Sequence, residues 1–209
     1  MARDTLQALE RDCRACFANL WNRPTTGLVF GDGNTASPRL MLIGEAPGEQ
    51  EAIQGKPFVG KAGKNLSEFL QSISLSRSEL YISNVVKFRP SRLSAAGRTV
   101  NRPPTREEIG LFLPWLYREI LLVQPKGIVT LGNVALHALI PAPATIGECH
   151  GRWHAAEIAS NTGAVARFPH FALYHPASVI YNRALEAVYR EDLQTLKRSL
   201  ESNGGQMDS

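Results

Sequence analysis

Short apolar runs alternate with amphipathic stretches along most of this sequence, and no other feature constrains the fold as strongly. Apolar runs predict buried strands at residues 40–43, 81–86, 127–131 and 171–174. Apolar residues at helical spacing predict helices at residues 3–20, 62–74, 104–123, 132–139 and 183–201. Strands that alternate with helices need crossover connections. The pattern therefore predicts an α/β fold, a three-layer α/β/α sandwich around a four-stranded, mainly parallel sheet.

Length and composition are typical of one globular domain, since the chain has 209 residues with 44% hydrophobic and 20% charged side chains. We expect residues 1–201 to form this single domain and residues 202–209 to be a disordered tail. No apolar run approaches the ~18 residues that cross a bilayer, and the N-terminus is charged where a signal peptide is apolar. We therefore expect a cytoplasmic protein without a membrane partner. No surplus apolar helix face demands a partner, which favours a monomer.

Charge and cysteine content are weaker guides. The 23 Lys and Arg residues outnumber the 19 Asp and Glu residues, which suits a polyanionic partner but is equally common among enzymes of small metabolites. Three cysteines cannot form a complete disulfide framework. Cys13 and Cys16 have the C-x-x-C spacing of half of a metal site.

Polar residues follow three of the predicted strands. Glu45 lies in GEAPG (44–48), Asn84 comes late in the second strand, and His175 begins HPAS (175–178). Because the carboxyl ends of parallel strands meet at one edge of a sheet, we expect an acid, an amide and an imidazole to converge there. Each residue alone has an ordinary structural explanation, but the three together favour a ligand site.

Two further segments have features of functional loops. GKPFVGKAGK (55–64) combines glycines, lysines and the start of a predicted helix, so its backbone amides are expected to bind a phosphate. Its spacing is not that of a Walker loop, which argues against nucleotide hydrolysis. Residues 89–103 are rich in Arg, Ser, Gly and Pro and predict an unusually long polar loop.

These motifs, in order and spacing, resemble those of the uracil-DNA glycosylase superfamily, most closely family 4. The resemblance runs from about Cys13 to Leu196 and is carried by GEAPGEQE (44–51), GKPFVGKAG (55–63), YISNVVK (81–87) and YHPAS (174–178). It implies a monofunctional DNA glycosylase that hydrolyses the N-glycosidic bond of uracil and leaves an abasic site for base-excision repair. The partner it implies is DNA containing uracil.

The resemblance also implies a role for each main site residue. Phe58 offers a stacking face to the extruded uracil, and Asn84 pairs with uracil O4 and N3–H in a pattern that cytosine cannot satisfy. His175 stabilises the negative charge at uracil O2. Glu45 stabilises the cationic sugar or orients the attacking water, since Ala46 stands where family 1 has an aspartate.

The remaining expected contacts are of two kinds. Further substrate contacts are expected at Gly44, Ala46, Gly48 and Ser178. DNA contacts are expected at Lys61, Gly63, Lys64, Arg98, Asn101 and Arg102. Val179 and Ile180 follow HPAS and are candidates for the wedge that replaces the extruded base, although either side chain could equally be buried.

One departure from family 4 concerns its four-iron, four-sulfur cluster, which four cysteines hold. Only Cys13 and Cys16 match the ligand positions here, because Phe88 and Phe112 stand at the other two and phenylalanine cannot ligate iron. Cys149 lies in an unrelated segment beside two histidines, and a site of three cysteines and one histidine would need a different geometry. We expect no cofactor and no metal, with the two rings filling the volume of the cluster.

The second departure is the loop at residues 96–102, which is longer than in typical family 4 enzymes. It resembles an insertion in a uracil-DNA-trapping relative, where a loop histidine forms a covalent bond with the sugar. Asn101 stands at the matching place, and an amide is a poor nucleophile, so turnover is expected. Two alternatives stay open: excision of another deaminated base, such as hypoxanthine or xanthine, and binding of uracil-containing or abasic DNA without cleavage.

Overall fold

The structure is a computed structural model that describes residues 4–21, 27–141, 143–160 and 162–202. The helices of this part of the chain are α1 (Leu6–Trp21), α2 (Glu49–Gln54), α3 (Lys61–Ser72), α4 (Arg106–Val123), α5 (Asn133–Leu139), α6 (Ile146–Cys149), α7 (Pro176–Tyr181) and α8 (Ala184–Ser202). The strands are β1 (Asp32–Gly33), β2 (Leu40–Gly44), β3 (Leu80–Asn84), β4 (Ser91–Leu93), β5 (Thr99–Asn101), β6 (Ile128–Leu131), β7 (Trp153–Ala159) and β8 (Val165–Leu173). None of the helices in these ranges is long and apolar enough to cross a bilayer.

Six of the described strands form one sheet in the order β1-β3-β2-β6-β8-β7. Its four central strands run parallel and correspond to the four predicted strands, so the α/β prediction is confirmed. The sheet also contains two strands that were not predicted, β1 and β7, which form its antiparallel edges. The strand β1 has only two residues, and β7 alternates buried with exposed positions. Neither edge therefore contains the continuous apolar run that predicts a buried parallel strand.

Alternate residues of the central strands face two separate hydrophobic cores, which makes the molecule three-layered as predicted. In β2, Met41 and Ile43 pack with residues of α1, α4 and α5, whereas Leu40 and Leu42 pack with residues of α3 and α8. This division follows from the two-residue period of a strand. Full burial of each such side chain contributes roughly 1.5–3 kcal/mol.

Local capping signals place the helix ends close to their predicted positions. Thr105 precedes α4 and its hydroxyl accepts from the Glu108 N–H at 3.2 Å, while the Glu108 carboxylate accepts from the Thr105 N–H at 2.7 Å. This reciprocal capping box stabilises the first turn of α4. The predicted disordered tail falls outside the described residues, apart from Ser202, which ends α8.

The polar segment at residues 89–103 contains a β-hairpin, so the prediction of a plain loop was wrong. The strands β4 and β5 are antiparallel, with Ser91 opposite Asn101 and Leu93 opposite Thr99. Gly97 has a φ of +71° in the connecting turn, where its N–H donates to the Ser94 carbonyl. The hairpin is mostly exposed on both faces, so no apolar alternation marks its strands in the sequence.

Candidate active site

The carboxyl ends of β2, β3 and β8 bring three of the predicted motifs to one edge of the sheet. Gly44 ends β2 directly beside Asn84, the last residue of β3. His175 follows two residues after the end of β8. An open cavity of about 280 Å³ lies at this edge, and its lining includes Phe58, Asn84, Asn101 and His175. The predicted convergence of an amide and an imidazole is therefore present.

Asn84 lines this cavity and contains a buried, unsatisfied acceptor. Its side chain is 2% exposed, and its Oδ1 has no hydrogen-bond partner in the described part of the chain. A Cβ built on Gly44 would lie 2.5 Å from this Oδ1 and 2.5 Å from Phe58 Cζ, so only glycine lets the amide and the ring approach. A buried acceptor without a donor costs roughly 1–3 kcal/mol. A ligand N–H can satisfy it.

His175 is held as a neutral donor. Its Nδ1 accepts from the Ala177 N–H at 3.1 Å at the start of α7, which places the ring proton on Nε2. Burial lowers the pKa of His175 to about 4, although the nearby Glu51 carboxylate opposes this shift. Gly132 has a φ of +86°, and a Cβ there would lie 3.1 Å from His175 Cβ. The imidazole is therefore closely packed and uncharged at neutral pH.

Phe58 forms a rigid aromatic wall near His175, with the two ring centroids 5.9 Å apart. Its φ of +53° lies in the left-handed region, which is rare for an aromatic residue. The Arg77 guanidinium supports this conformation by donating to the carbonyls of Phe58 and Pro57 at 2.9 and 3.0 Å. Gly63 is buried against the Phe58 carbonyl, where any Cβ would overlap it. The structure thus places Gly63 under the aromatic wall rather than on the surface expected to contact DNA.

Two acidic residues that were not predicted as site residues line the cavity, the exposed Glu49 and the buried Glu51. Glu51 Oε1 accepts from the N–H groups of Val59 and Gly60 at 3.0 and 2.7 Å, and Glu51 Oε2 accepts from the Gly48 N–H at 3.1 Å. The protein's own carboxylate therefore occupies the amides where a phosphate was expected, and that expectation was wrong for this pair of amides. Glu51 stands three residues after Gly48, which precedes α2, and its bond to the Gly48 N–H is the glutamate half of a capping box; a glycine supplies no side chain for the other half.

Glu45, the predicted catalytic acid, is half-buried and is not among the residues that line the cavity. Desolvation raises the pKa of its carboxyl group. Its neighbours Ala46 and Gly48 do line the cavity, and their contact with substrate stays a prediction. The structure thus brings Glu51, rather than Glu45, to the cavity surface beside His175, and the catalytic role of Glu45 stays a prediction.

Asn101 reaches the cavity from the hairpin. Its Oδ1 accepts from Arg89 Nε at 2.8 Å, and Arg89 also pairs with the Glu49 carboxylate at 3.0 Å. Its Nδ2 lies 3.5 Å from a Cβ built on Gly48. Because Arg89 occupies the oxygen, the amide nitrogen is the part left to meet a ligand. The residue is a hydrogen-bond donor here and has no nucleophilic atom.

The other predicted DNA contacts are distributed unevenly. Lys61 is exposed and lines the cavity, whereas Lys64 and Arg98 are exposed but lie outside its lining. Arg102 makes a bidentate ion pair with Glu108, with distances of 2.7 and 2.6 Å. A phosphate would have to compete with this carboxylate for the Arg102 guanidinium.

The helix α7 presents different side chains to the cavity from those expected. Ser178 is exposed and is not among the lining residues, whereas Ala177 and Ile180 are. Val179 is buried in the core and is therefore not available as a wedge. Of the two wedge candidates, only Ile180 lies at the cavity.

Comparison with known proteins decides the family. The model of the uracil DNA glycosylase superfamily matches residues 30–197. The chain belongs to this superfamily. A type-4 uracil-DNA glycosylase of Saccharolobus solfataricus is 36% identical over 95% of this chain and 87% of its own length. A type-4 uracil-DNA glycosylase of Archaeoglobus fulgidus is 33% identical over 92% of each chain. The resemblance to family 4 is thereby confirmed.

A solved structure supports the superfamily fold. Wild-type SMUG2 of Pedobacter heparinus superposes with a TM-score of 0.50 and 12% identity, covering 92% of this chain and 82% of that one. At this identity the likeness shows the fold alone.

For this superfamily member, the residues at the expected cluster positions do not fit four-cysteine coordination. Cys13 is fully buried, and burial raises the pKa of its thiol to about 12. The Phe112 ring stacks on Phe17 with centroids 4.1 Å apart, and Phe88 packs against it at 5.8 Å. Cys149 belongs to a different hydrophobic cluster. Among the described residues, no three His, Cys, Asp or Glu side chains are placed to bind a metal ion.

Proposed function

We propose that this protein is a monofunctional DNA glycosylase that hydrolyses the N-glycosidic bond of uracil in DNA and leaves an abasic site. The observation that carries the proposal is the buried Asn84 Oδ1, which lacks a donor, next to a neutral His175 in one small cavity. The similarity to type-4 uracil-DNA glycosylases supports the choice of substrate.

Recognition follows from the hydrogen-bonding pattern of the base. Uracil N3–H donates to Asn84 Oδ1, and uracil O4 accepts from Asn84 Nδ2. Cytosine presents an acceptor at N3, which would leave Oδ1 buried without a donor. A site built to hydrogen-bond one base can reject an analogue lacking that pattern by about 10⁴–10⁵. Stacking of the extruded base on Phe58 contributes about 1–3 kcal/mol and offsets part of the unstacking cost.

Cleavage needs stabilisation of two opposite charges. As the bond between N1 and the sugar C1′ breaks, the electron pair leaves with uracil, and His175 Nε2–H donates to the O2 oxygen that becomes negative. A preorganised donor of this kind contributes about 10²–10³ in rate. Water then adds its oxygen to C1′, losing one proton to solvent, while the uracil anion gains a proton.

Two acids oppose the positive charge that develops on the sugar. Glu51 lines the cavity and its carboxylate has fixed partners, whereas Glu45 is outside the cavity lining and burial raises the pKa of its carboxyl group. We assign Glu51 the electrostatic role and keep Glu45 as the candidate that orients the water. Separate Glu45→Gln and Glu51→Gln variants test this division in single-turnover assays.

Contacts to DNA are proposed around the cavity mouth. Lys61 lies at the mouth, and Arg98 projects from the exposed turn of the hairpin. We infer that the Asn101 amide nitrogen donates to the flipped nucleotide or its phosphate, because Arg89 already occupies the amide oxygen. Because bound phosphates release counterions, affinity for DNA falls as salt concentration rises. Asn101 offers no nucleophile, so the enzyme turns over without a covalent adduct.

The decisive experiment is uracil release by the wild-type protein from oligonucleotides that each carry one lesion: uracil, hypoxanthine or xanthine. We expect release of uracil and loss of at least about 100-fold for His175→Ala with DNA binding retained. Release of hypoxanthine or xanthine in place of uracil would show that the enzyme acts on that base and would overturn the assignment of uracil as its substrate. A wild-type protein that binds the DNA and releases no base would make it a binding module.

We further propose that the enzyme works without an iron–sulfur cluster. Support comes from Phe17, Phe88 and Phe112, whose rings pack on one another in the same hydrophobic core that contains Cys13. Protein purified without oxygen should contain no stoichiometric iron and show no absorbance near 400 nm. A stoichiometric cluster would refute this part of the proposal.

We also propose that residues 1–201 form a single domain and that the protein acts as a cytoplasmic monomer. One six-stranded sheet extends from the edge strand β1 to the edge strand β7, and the helices α1 and α8 pack on its opposite faces, which supports one cooperative unit. Limited proteolysis should leave one core fragment, and light scattering should give the mass of one chain. Cell fractionation tests the location.

A further inference from the structure

A fully buried polar network lies directly behind the base-recognition residue Asn84. Lys87 and Glu119 are 0% and 1% exposed and pair at 2.6 Å between Nζ and Oε2. Lys87 Nζ also donates to Ser83 Oγ at 2.7 Å and to the backbone carbonyl of Asn84 at 2.8 Å. Glu119 in turn accepts from Ser83 Oγ at 2.9 Å and from the Tyr81 hydroxyl at 2.9 Å. We call Tyr81, Ser83, Lys87 and Glu119 the buried network.

The network is closed, since the three ammonium protons of Lys87 meet three acceptors. Such a buried ion pair seldom stabilises a protein more than apolar side chains of similar volume would, because removing both charges from water costs as much as their attraction returns. Overall stability therefore does not explain why charge is placed at this point of the core.

Its position relative to Asn84 does offer an explanation. Asn84 ends β3, and its backbone carbonyl is tied by Lys87 to Glu119 of α4. The Asn84 carboxamide oxygen has no partner in the described part of the chain, so no side-chain bond at that atom directs it. The direction of the amide thus depends on the backbone that carries it, and the charge-assisted bond to the carbonyl fixes that backbone.

We propose that the buried network positions Asn84 for recognition of uracil, acting through its backbone carbonyl and without touching the base. This inference rests on the proposed function, and it assigns Tyr81, Ser83, Lys87 and Glu119 as positioning residues. A displacement of about 1 Å at a recognition group can cost about 10²-fold in rate, so loss of the network should be visible in catalysis.

The test is a cycle of variants. In the apolar variant, Tyr81→Phe, Ser83→Ala, Lys87→Met and Glu119→Leu replace the network by side chains of similar volume. Single-turnover uracil release is measured with and without Asn84→Ala. We expect the apolar variant to lose about 100-fold in kcat/KM when Asn84 is present and less than about 3-fold when it is absent, because the network acts through that residue.

The matched control is Leu116→Ala, which removes a buried side chain of the same helix α4 without removing any network group. Its effect on uracil release should be the same factor in both backgrounds, whatever its loss in Tm. A non-additive result for the apolar variant beside an additive result for the control supports positioning.

Two results would overturn the inference: the apolar variant loses the same factor in both backgrounds, or it keeps wild-type activity. If circular dichroism shows that the apolar variant does not fold, Ser83→Ala and Lys87→Met enter the same cycle singly, with the same two criteria. A wild-type protein that releases no uracil would instead overturn the proposed function, together with the inference that rests on it.

Discussion

Replacing Glu51 by glutamine should weaken both the fold and the cavity. The carboxylate accepts three backbone N–H bonds from two loops, one at Gly48 and the other at Val59 and Gly60. The glutamine amide can serve only one of these loops with its oxygen, so its NH₂ group faces at least one donor. One buried N–H left without an acceptor costs roughly 1–3 kcal/mol. For a chain of this size, that cost lowers Tm by about 2–12 °C.

The catalytic effect of Glu51→Gln follows from the same geometry. Glu51 bridges the loop after β2 and the loop that carries Phe58, which border the cavity. Without the bridge the cavity loses its fixed width, and kcat/KM should fall about 10- to 100-fold. Circular dichroism melts and single-turnover uracil release measure the two effects. The control is Glu68→Gln, which removes an exposed charge from α3. Unchanged Tm and kcat/KM in Glu51→Gln would refute the reasoning.

Three other predictions concern pH, specificity and the aromatic cluster. The pKa of His175 is about 4 in the folded protein, below its ordinary value of 6.5, so the folded state binds fewer protons between these values. The free energy of unfolding therefore rises with pH across that window, by about 3 kcal/mol for this group. Urea melts should show this rise in the wild type and not in His175→Ala. The same rise in both proteins would show that the histidine is not its source. Asn84→Asp should lower kcat/KM for uracil about 100-fold or more, because it removes the donor to O4, and equal excision by both proteins would contradict the assigned contact. Phe112→Ala should destabilise the protein by roughly 3–5 kcal/mol in urea melts, whereas a cost under about 1 kcal/mol would show that its ring fills no essential volume.

Much of the fold could be predicted because its signals are local. Each of the four parallel strands contains a short, mainly apolar run, and the capping residues of α4 lie within one turn of each other. The convergence of Asn84 and His175 followed from topology, since Asn84 ends β3 and His175 lies two residues beyond the end of β8, at the same edge of the parallel strands. The edge strands and the hairpin escaped prediction because exposed or two-residue strands lack an apolar period.

The site was predicted less completely than the fold, for a physical reason. Glu45 and Glu51 lie in the same motif, and nothing in their spacing shows which carboxyl group faces the cavity. That choice depends on amides of Val59 and Gly60, which only the folded chain brings to Glu51. In the sequence, Arg102 likewise looks like a cation that is available to bind phosphate, whereas in the structure it forms a bidentate ion pair with Glu108.

The sequence by itself determined the layered α/β architecture, the family and the chemical types at the strand ends, because these depend on local periodicity and motif order. Only the tertiary structure decided which polar groups are left for a ligand. The Asn84 oxygen lacks a donor and the Glu51 carboxylate is fully engaged because of groups distant in the chain. Hydrogen-bond saturation is a property of the packed interior, and no linear pattern contains it.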